Sequence, residues 1–90
     1  MWDIMTPIEF LQSDETARRI FASVERARGR ASGWSIAKDS EVSPEAAASI
    51  LKSLKELGIL GSTDPGLDGY YYLTELGVKV RDFRVHAAAG

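Results

Sequence analysis

Catalytic and metal-binding chemistry in proteins usually draws on histidine and cysteine, and this chain has one His and no Cys. His86 lies close to the C-terminal end, where a nucleophile–histidine pair or a histidine metal site would lack partners. It reads as a solvated tail residue. The missing cysteines remove disulfides, thiolate ligands and cysteine nucleophiles together. Asp64 and Asp68 flank a stretch rich in turn formers, where carboxylates ordinarily shape the turn. Gly58-Ile59-Leu60-Gly61 has neither the spacing nor the following helix of a phosphate-cradling loop. The expectation is a protein that is not an enzyme and that uses no cofactor and no metal.

What remains is charge and aromatic surface. Residues 13–30 carry Arg18, Arg19, Arg26, Arg28 and Arg30, five of the chain's 11 basic residues, against three acidic ones. Arg26, Arg28 and Arg30 either contact phosphates or form a solvated helix end of the kind the macrodipole favours. Glu15 can pair with Arg19, and Glu25 with its own neighbours. Tyr70, Tyr71 and Tyr72 either offer a base-stacking platform or pack one ring inward from a strand. Residues 62–75 hold three acidic residues and no basic one. The whole chain has a net charge of −2 and a pI near 5.3, unusual for a nucleic-acid binder.

These groups need elements to position them, and 90 residues make one domain. A chain of this size buries roughly 60–65% of its unfolded surface, enough for one small core but not for a deep catalytic cleft as well. Thr6, Pro7 and Glu9 form a capping-box signature for a short helix over about 7–11. Trp2 and Phe10 either complete the core or cover a partner subunit. Ser13 is the expected N-cap of a long helix reaching Arg28, with Ala17, Ile20, Phe21 and Val24 on its buried stripe. Residues 31–34 read as a strand-like link, with Trp34 as a core or edge plug.

Ser35 to Glu41 is expected to form a short helix, with Val42 plugging the corner after it. Ser43 is the N-cap of the next helix, Pro44 suits its first position and Glu45 complements its dipole. Ala47, Ile50, Leu51, Leu54 and Leu57 trace one apolar face, and Gly58 stands where a left-handed C′ residue is wanted. Residues 59–73 read as a hairpin with Tyr71 and Leu73 inward and Tyr70 and Tyr72 outward. Thr74 caps a last helix over about 75–85, with Leu76, Val80 and Phe83 inward. From His86 onward the chain is expected to fray. The fold class is mainly α with a small β-hairpin (α+β).

A short helix, a tight turn and a longer helix make a helix-turn-helix over about 35–57. Ile36-Ala37, Val42, Ser43, Ile50-Leu51, Leu54 and Gly58-Ile59-Leu60 resemble the pattern of winged-helix transcription regulators, in particular the arsenic-repressor-like and multiple-antibiotic-resistance-like groups. Tyr72-Leu73-Thr74-Glu75-Leu76-Gly77 is similar to the end of the wing in multiple-antibiotic-resistance-like and phenolic-acid-repressor-like regulators. The resemblance spans about residues 8–84. It implies a single winged helix-turn-helix domain of four to five helices, with a wing over about 59–73 forming a two- to three-stranded sheet.

It further implies a DNA-binding regulator that lays the helix over 44–57 into the major groove of double-stranded DNA. By alignment to the family motif, Glu45, Ala46, Ser49 and Ser53 would face base edges, and Lys38, Lys52 and Lys55 would neutralise phosphates, with Ser43 at the head of the set. A homodimer through the N- and C-terminal segments, with Leu76, Val80 and Phe83 as candidate contacts, is the assembly implied. The wing departs from the family in carrying Asp64 and Asp68 and no base, which would repel a phosphate backbone. The alternative is a winged-helix module that binds a protein partner inside a larger assembly, without direct DNA contact. No apolar run approaches the ~18 residues of a membrane span and no secretory signal is visible. Together with the missing cysteines, this gives a cytoplasmic expectation.

Overall fold

The computed structural model describes residues 5–89, and side chains as far as residue 83. Trp2 therefore lies outside the described residues. The order is α1 (Met5–Ser13), α2 (Glu15–Ala27), α3 (Gly33–Ser40), α4 (Pro44–Glu56), β1 (Leu60–Ser62), β2 (Tyr71–Leu73) and α5 (Glu75–Ala89), with a single 3₁₀ turn at Gly66–Asp68 between the strands. It is a mainly helical α+β architecture with one small antiparallel sheet.

Local signals explain most of the ends. The Ser43 hydroxyl accepts from the Ala46 amide at 3.2 Å, and Pro44 follows in the first turn of α4. At the other end Gly58 is left-handed at φ +83°. The Ile59 amide reaches back to the Leu54 carbonyl at 3.2 Å and the Gly58 amide to Lys55 at 2.9 Å, the paired bonds of a Schellman stop. Glu41 ends α3 in the same way at φ +58°, with Val42 bonded to Ala37 and packed against the core.

Several boundaries differ from the sequence expectation. Asp14, not Ser13, caps α2, accepting from the Ala17 amide at 3.0 Å. Ser13 instead closes α1, its hydroxyl donating to the Phe10 carbonyl. The chain is already helical at Met5, so Thr6 is not the cap of α1. Helix α3 begins at Gly33 under a Ser32 cap, which places Trp34 on its first turn rather than in a strand. Trp34 is 53% exposed, not a core plug. The strand-like link survives as an isolated antiparallel bridge between Ser32 and Tyr70. Helix α5 runs on to Ala89 through an alanine-rich end that favours helix.

The core is one cluster: Ile8 and Leu11 from α1, Ala17, Ile20, Phe21 and Val24 from α2, Ile36 and Ala37 from α3, Ala47, Leu51 and Leu54 from α4, then Ile59, Leu60, Tyr71, Leu76 and Val80. Burying each Leu or Ile there contributes about 1.5–3 kcal/mol. Phe83, expected inward, is 45% exposed because it lies one turn past Val80, beyond the packed body. Leu76 and Val80 are consumed by the core and are not available to a second subunit. Thr74 holds the start of α5 in place. Its hydroxyl accepts from the Gly77 amide and donates to the Gly58 carbonyl at 2.6 Å, and its amide donates to Ile59.

Candidate functional site

Helix α4 buries one face completely, through Ala47, Leu51 and Leu54. Turning outward on the opposite side are Glu45, Ala46, Ser49 and Lys52, all exposed, with Ser53 half-buried at the edge. Among the described residues, Glu45 and Lys52 enter no ion pair and no side-chain hydrogen bond. Lys38 is exposed on the last turn of α3. Two members of the expected set have structural employment. The Ser43 hydroxyl is the α4 cap, and Lys55 is half-buried in a groove between α4 and the hairpin loop.

That groove has a volume of about 430 Å³ and is walled by Lys52, Lys55 and Glu56 on one side and Pro65, Gly66 and Tyr71 on the other. Tyr71 fixes the loop beside α4, since its buried phenol donates to the Gly66 carbonyl at 2.6 Å. Burial pushes the Tyr71 phenol above its usual range, because a phenolate there would lose its water; a hydrogen bond from Ser62 acts the other way.

The loop is also fastened to α3. Trp34 Nε1 donates to Asp68 Oδ1 at 2.9 Å, and the Gly33 amide donates to the Gly69 carbonyl at 3.0 Å. A methyl on Gly33 would sit 2.7 Å from the Leu67 Cα, so only glycine lets the loop come this close. With the Ser32–Tyr70 bridge, the segment at 31–34 acts as a third edge to the hairpin. Register then sorts the faces. Leu60 pairs with Leu73, Gly61 with Tyr72 and Ser62 with Tyr71. Tyr71 points to the core, whereas Tyr70 and Tyr72 are 48% and 45% exposed on the outer side. The Tyr72 ring lies over Gly61, filling the space a side chain would take.

The sequence reading anticipated the outward tyrosines but missed that Trp34 joins them and that Asp68 is its partner. No local signal in the sequence joins the two, since the contact follows from where the hairpin loop docks on α3.

The arginines sit elsewhere. Arg26 pairs with Asp39 at 2.6 Å, Arg81 with Glu25 at 3.5 Å and with Asp82 at 3.0 Å, and Arg19 with Glu15 at 3.8 Å. The Arg26 guanidinium, followed by the Ser23 hydroxyl, holds the Asp39 carboxyl below its ordinary range. Arg18 donates to the Leu11 and Gln12 carbonyls, closing the end of α1. Arg28 and Arg30 have no such partner among the described residues. No family model, curated protein or solved structure matches this chain significantly.

Proposed function

We propose that this chain is a winged helix-turn-helix DNA-binding regulator, with α3 and α4 as the helix-turn-helix and the loop between β1 and β2 as the wing. The observation that carries the reading is the α4 helix itself. It is capped at both ends, anchored by three fully buried residues, and presents an outer face of short side chains to solvent. Ala46 and Ser49 permit close approach to base edges, Glu45 can accept from a cytosine amine, and Lys52 can reach a phosphate. Lys38 and Lys55 flank that face, one exposed and one half-buried.

The test is binding of a random-sequence duplex, followed by fluorescence anisotropy over a salt series. Affinity should fall steeply with salt, and Lys52→Ala should reduce the log–log slope by about 1. A folded sample that binds no duplex at low salt refutes the reading.

One observation favours a second reading, a protein-interaction module. Asp64 and Asp68 stand on the loop that faces α4, with no basic residue on the hairpin to offset them. Asp68 accepts from an indole, a neutral donor, so its charge is not cancelled. An acidic loop at this place costs DNA affinity and suits a basic protein surface.

A further inference from the structure

We propose that the outer face built by Trp34, Tyr70 and Asp68 is a docking site for an arginine side chain on a basic segment of a partner protein. Three features of the face support this. The first is proximity. Ser32 bridges Tyr70 and the Gly33 amide bonds to the Gly69 carbonyl; the chain then turns into α3, and the Trp34 indole N–H reaches the Asp68 carboxylate. Trp34, two residues past the bridge, and Tyr70, within it, are thereby brought with Asp68 to the same end of the hairpin. A planar guanidinium can stack on the exposed indole while it reaches the Asp68 carboxylate beside it.

The second feature is charge. Only one Asp68 oxygen is engaged, by the Trp34 N–H, and the other has no partner among the described residues. Residues 62–75 contain no cation to compete for it. The indole holds the carboxylate without neutralising it, which leaves a fixed anion beside an exposed π-face. Guanidinium satisfies both at once, through hydrogen bonds to the carboxylate and stacking on the rings. Ammonium, compact and strongly hydrated, uses the face less well.

The third feature is exposure. Trp34, Tyr70 and Tyr72 are three of the five large apolar side chains left exposed among the described residues. Trp, Tyr and Arg are the residue types that dominate binding energy at protein interfaces. Among the described residues, no arginine or lysine of the chain forms an ion pair with Asp68.

This inference is independent of the DNA reading, since the ligand has the opposite charge and Lys52 takes no part. The probe is the peptide amide Gly-Arg-Gly-Arg-Gly-Gly, with a matched peptide carrying citrulline in place of arginine. Emission of Trp34 is followed in a Trp2→Phe background. The arginine peptide should change it saturably, and the citrulline peptide should bind about tenfold more weakly. Asp68→Asn keeps an acceptor for the indole and should also weaken binding about tenfold. Unchanged far-UV circular dichroism of that variant ties the loss to the charge and not to the fold. No saturable change with the arginine peptide overturns the proposal, as does equal binding of the citrulline peptide or an unaffected Asp68→Asn. A change of Trp34 emission produced by duplex DNA in place of the peptide, or by self-association on concentrating the protein alone, assigns the face to those occupants and overturns it too.

Discussion

Gly77→Ala should destabilise the protein, although a glycine-to-alanine change in a helix ordinarily does the reverse. On propensity alone the substitution would gain about 1 kcal/mol in a helix interior, and less in the first turn. Here the new methyl would run directly into the Ile59 carbonyl oxygen, with the Leu73 Cβ at 3.3 Å on another side. A backbone oxygen cannot swing aside as a side chain does. Helix α5 must therefore back away from the end of α4. That movement loses the Thr74–Ile59 amide bond and the Thr74–Gly58 hydroxyl bond, each contributing about 1 kcal/mol. It also loosens Leu76 and Val80, which are almost fully buried, at about 1–3 kcal/mol for forced repacking.

Set against the propensity gain, the net loss is about 2–4 kcal/mol. For a domain of this size that lowers Tm by about 10–30 °C. Thermal unfolding followed by far-UV circular dichroism, checked by urea titration, measures it. A variant as stable as the parent, or more stable, would show that α5 does not depend on this contact, and the account of how it is docked would be wrong.

Two further outcomes follow from groups whose titration the fold alters. Tyr71→Phe removes a buried hydroxyl and leaves the Gly66 carbonyl without its partner, at a cost of about 1–1.5 kcal/mol near neutral pH by chemical denaturation. Because the Tyr71 phenol is raised above 10.0, it favours the folded state fully below that pH, and the parent should lose this stability as alkali takes the pH through the folded-state value. The phenylalanine variant should lack that part of the alkaline decline. Arg26→Gln acts on the acid side. The Asp39 carboxyl is held below 3.8, chiefly by Arg26, so its contribution is present above that pH and fades as the pH falls through the folded-state value. Both side chains are more than half exposed, so the increment is small; urea midpoints across the acid range should show it in the parent and a reduced one in the variant.

What could be read in advance was what neighbours in the chain decide. Ser43-Pro44-Glu45 and Gly58-Ile59 mark both ends of α4 by purely local chemistry, and both ends fall where that chemistry puts them. The same holds for the inward Tyr71 and outward Tyr70 and Tyr72, since strand parity needs no distant partner. Ser13 and Asp14 are adjacent residues of nearly equal capping power, and only the closing of α1 by Ser13 separates them. Phe83 keeps the spacing of Leu76 and Val80, yet periodicity cannot tell where the body of the domain stops. Trp34 was misplaced for a different reason. Its partner Asp68 is 34 residues away, and no local pattern announces a contact of that range. On the outer face of α4, residue types and exposure were legible, but Lys55 turning into a groove depends on where the loop settles.

The Ser32–Tyr70 bridge has a consequence for how the molecule forms. The hairpin, the two capped helices and the α4 stop are local in sequence and can appear early, each with little chain to bring together. The bridge instead closes a loop enclosing all of α3, α4 and β1. Loop-closure entropy grows slowly with length, so this closure weighs little on final stability, but contacts of large sequence separation slow the search for the native state. The bridge is thus one of several distant pairings, with those of α2 to β2 and α1 to α5, that the search must bring together, and the aromatic face exists only once the loop it closes is in place.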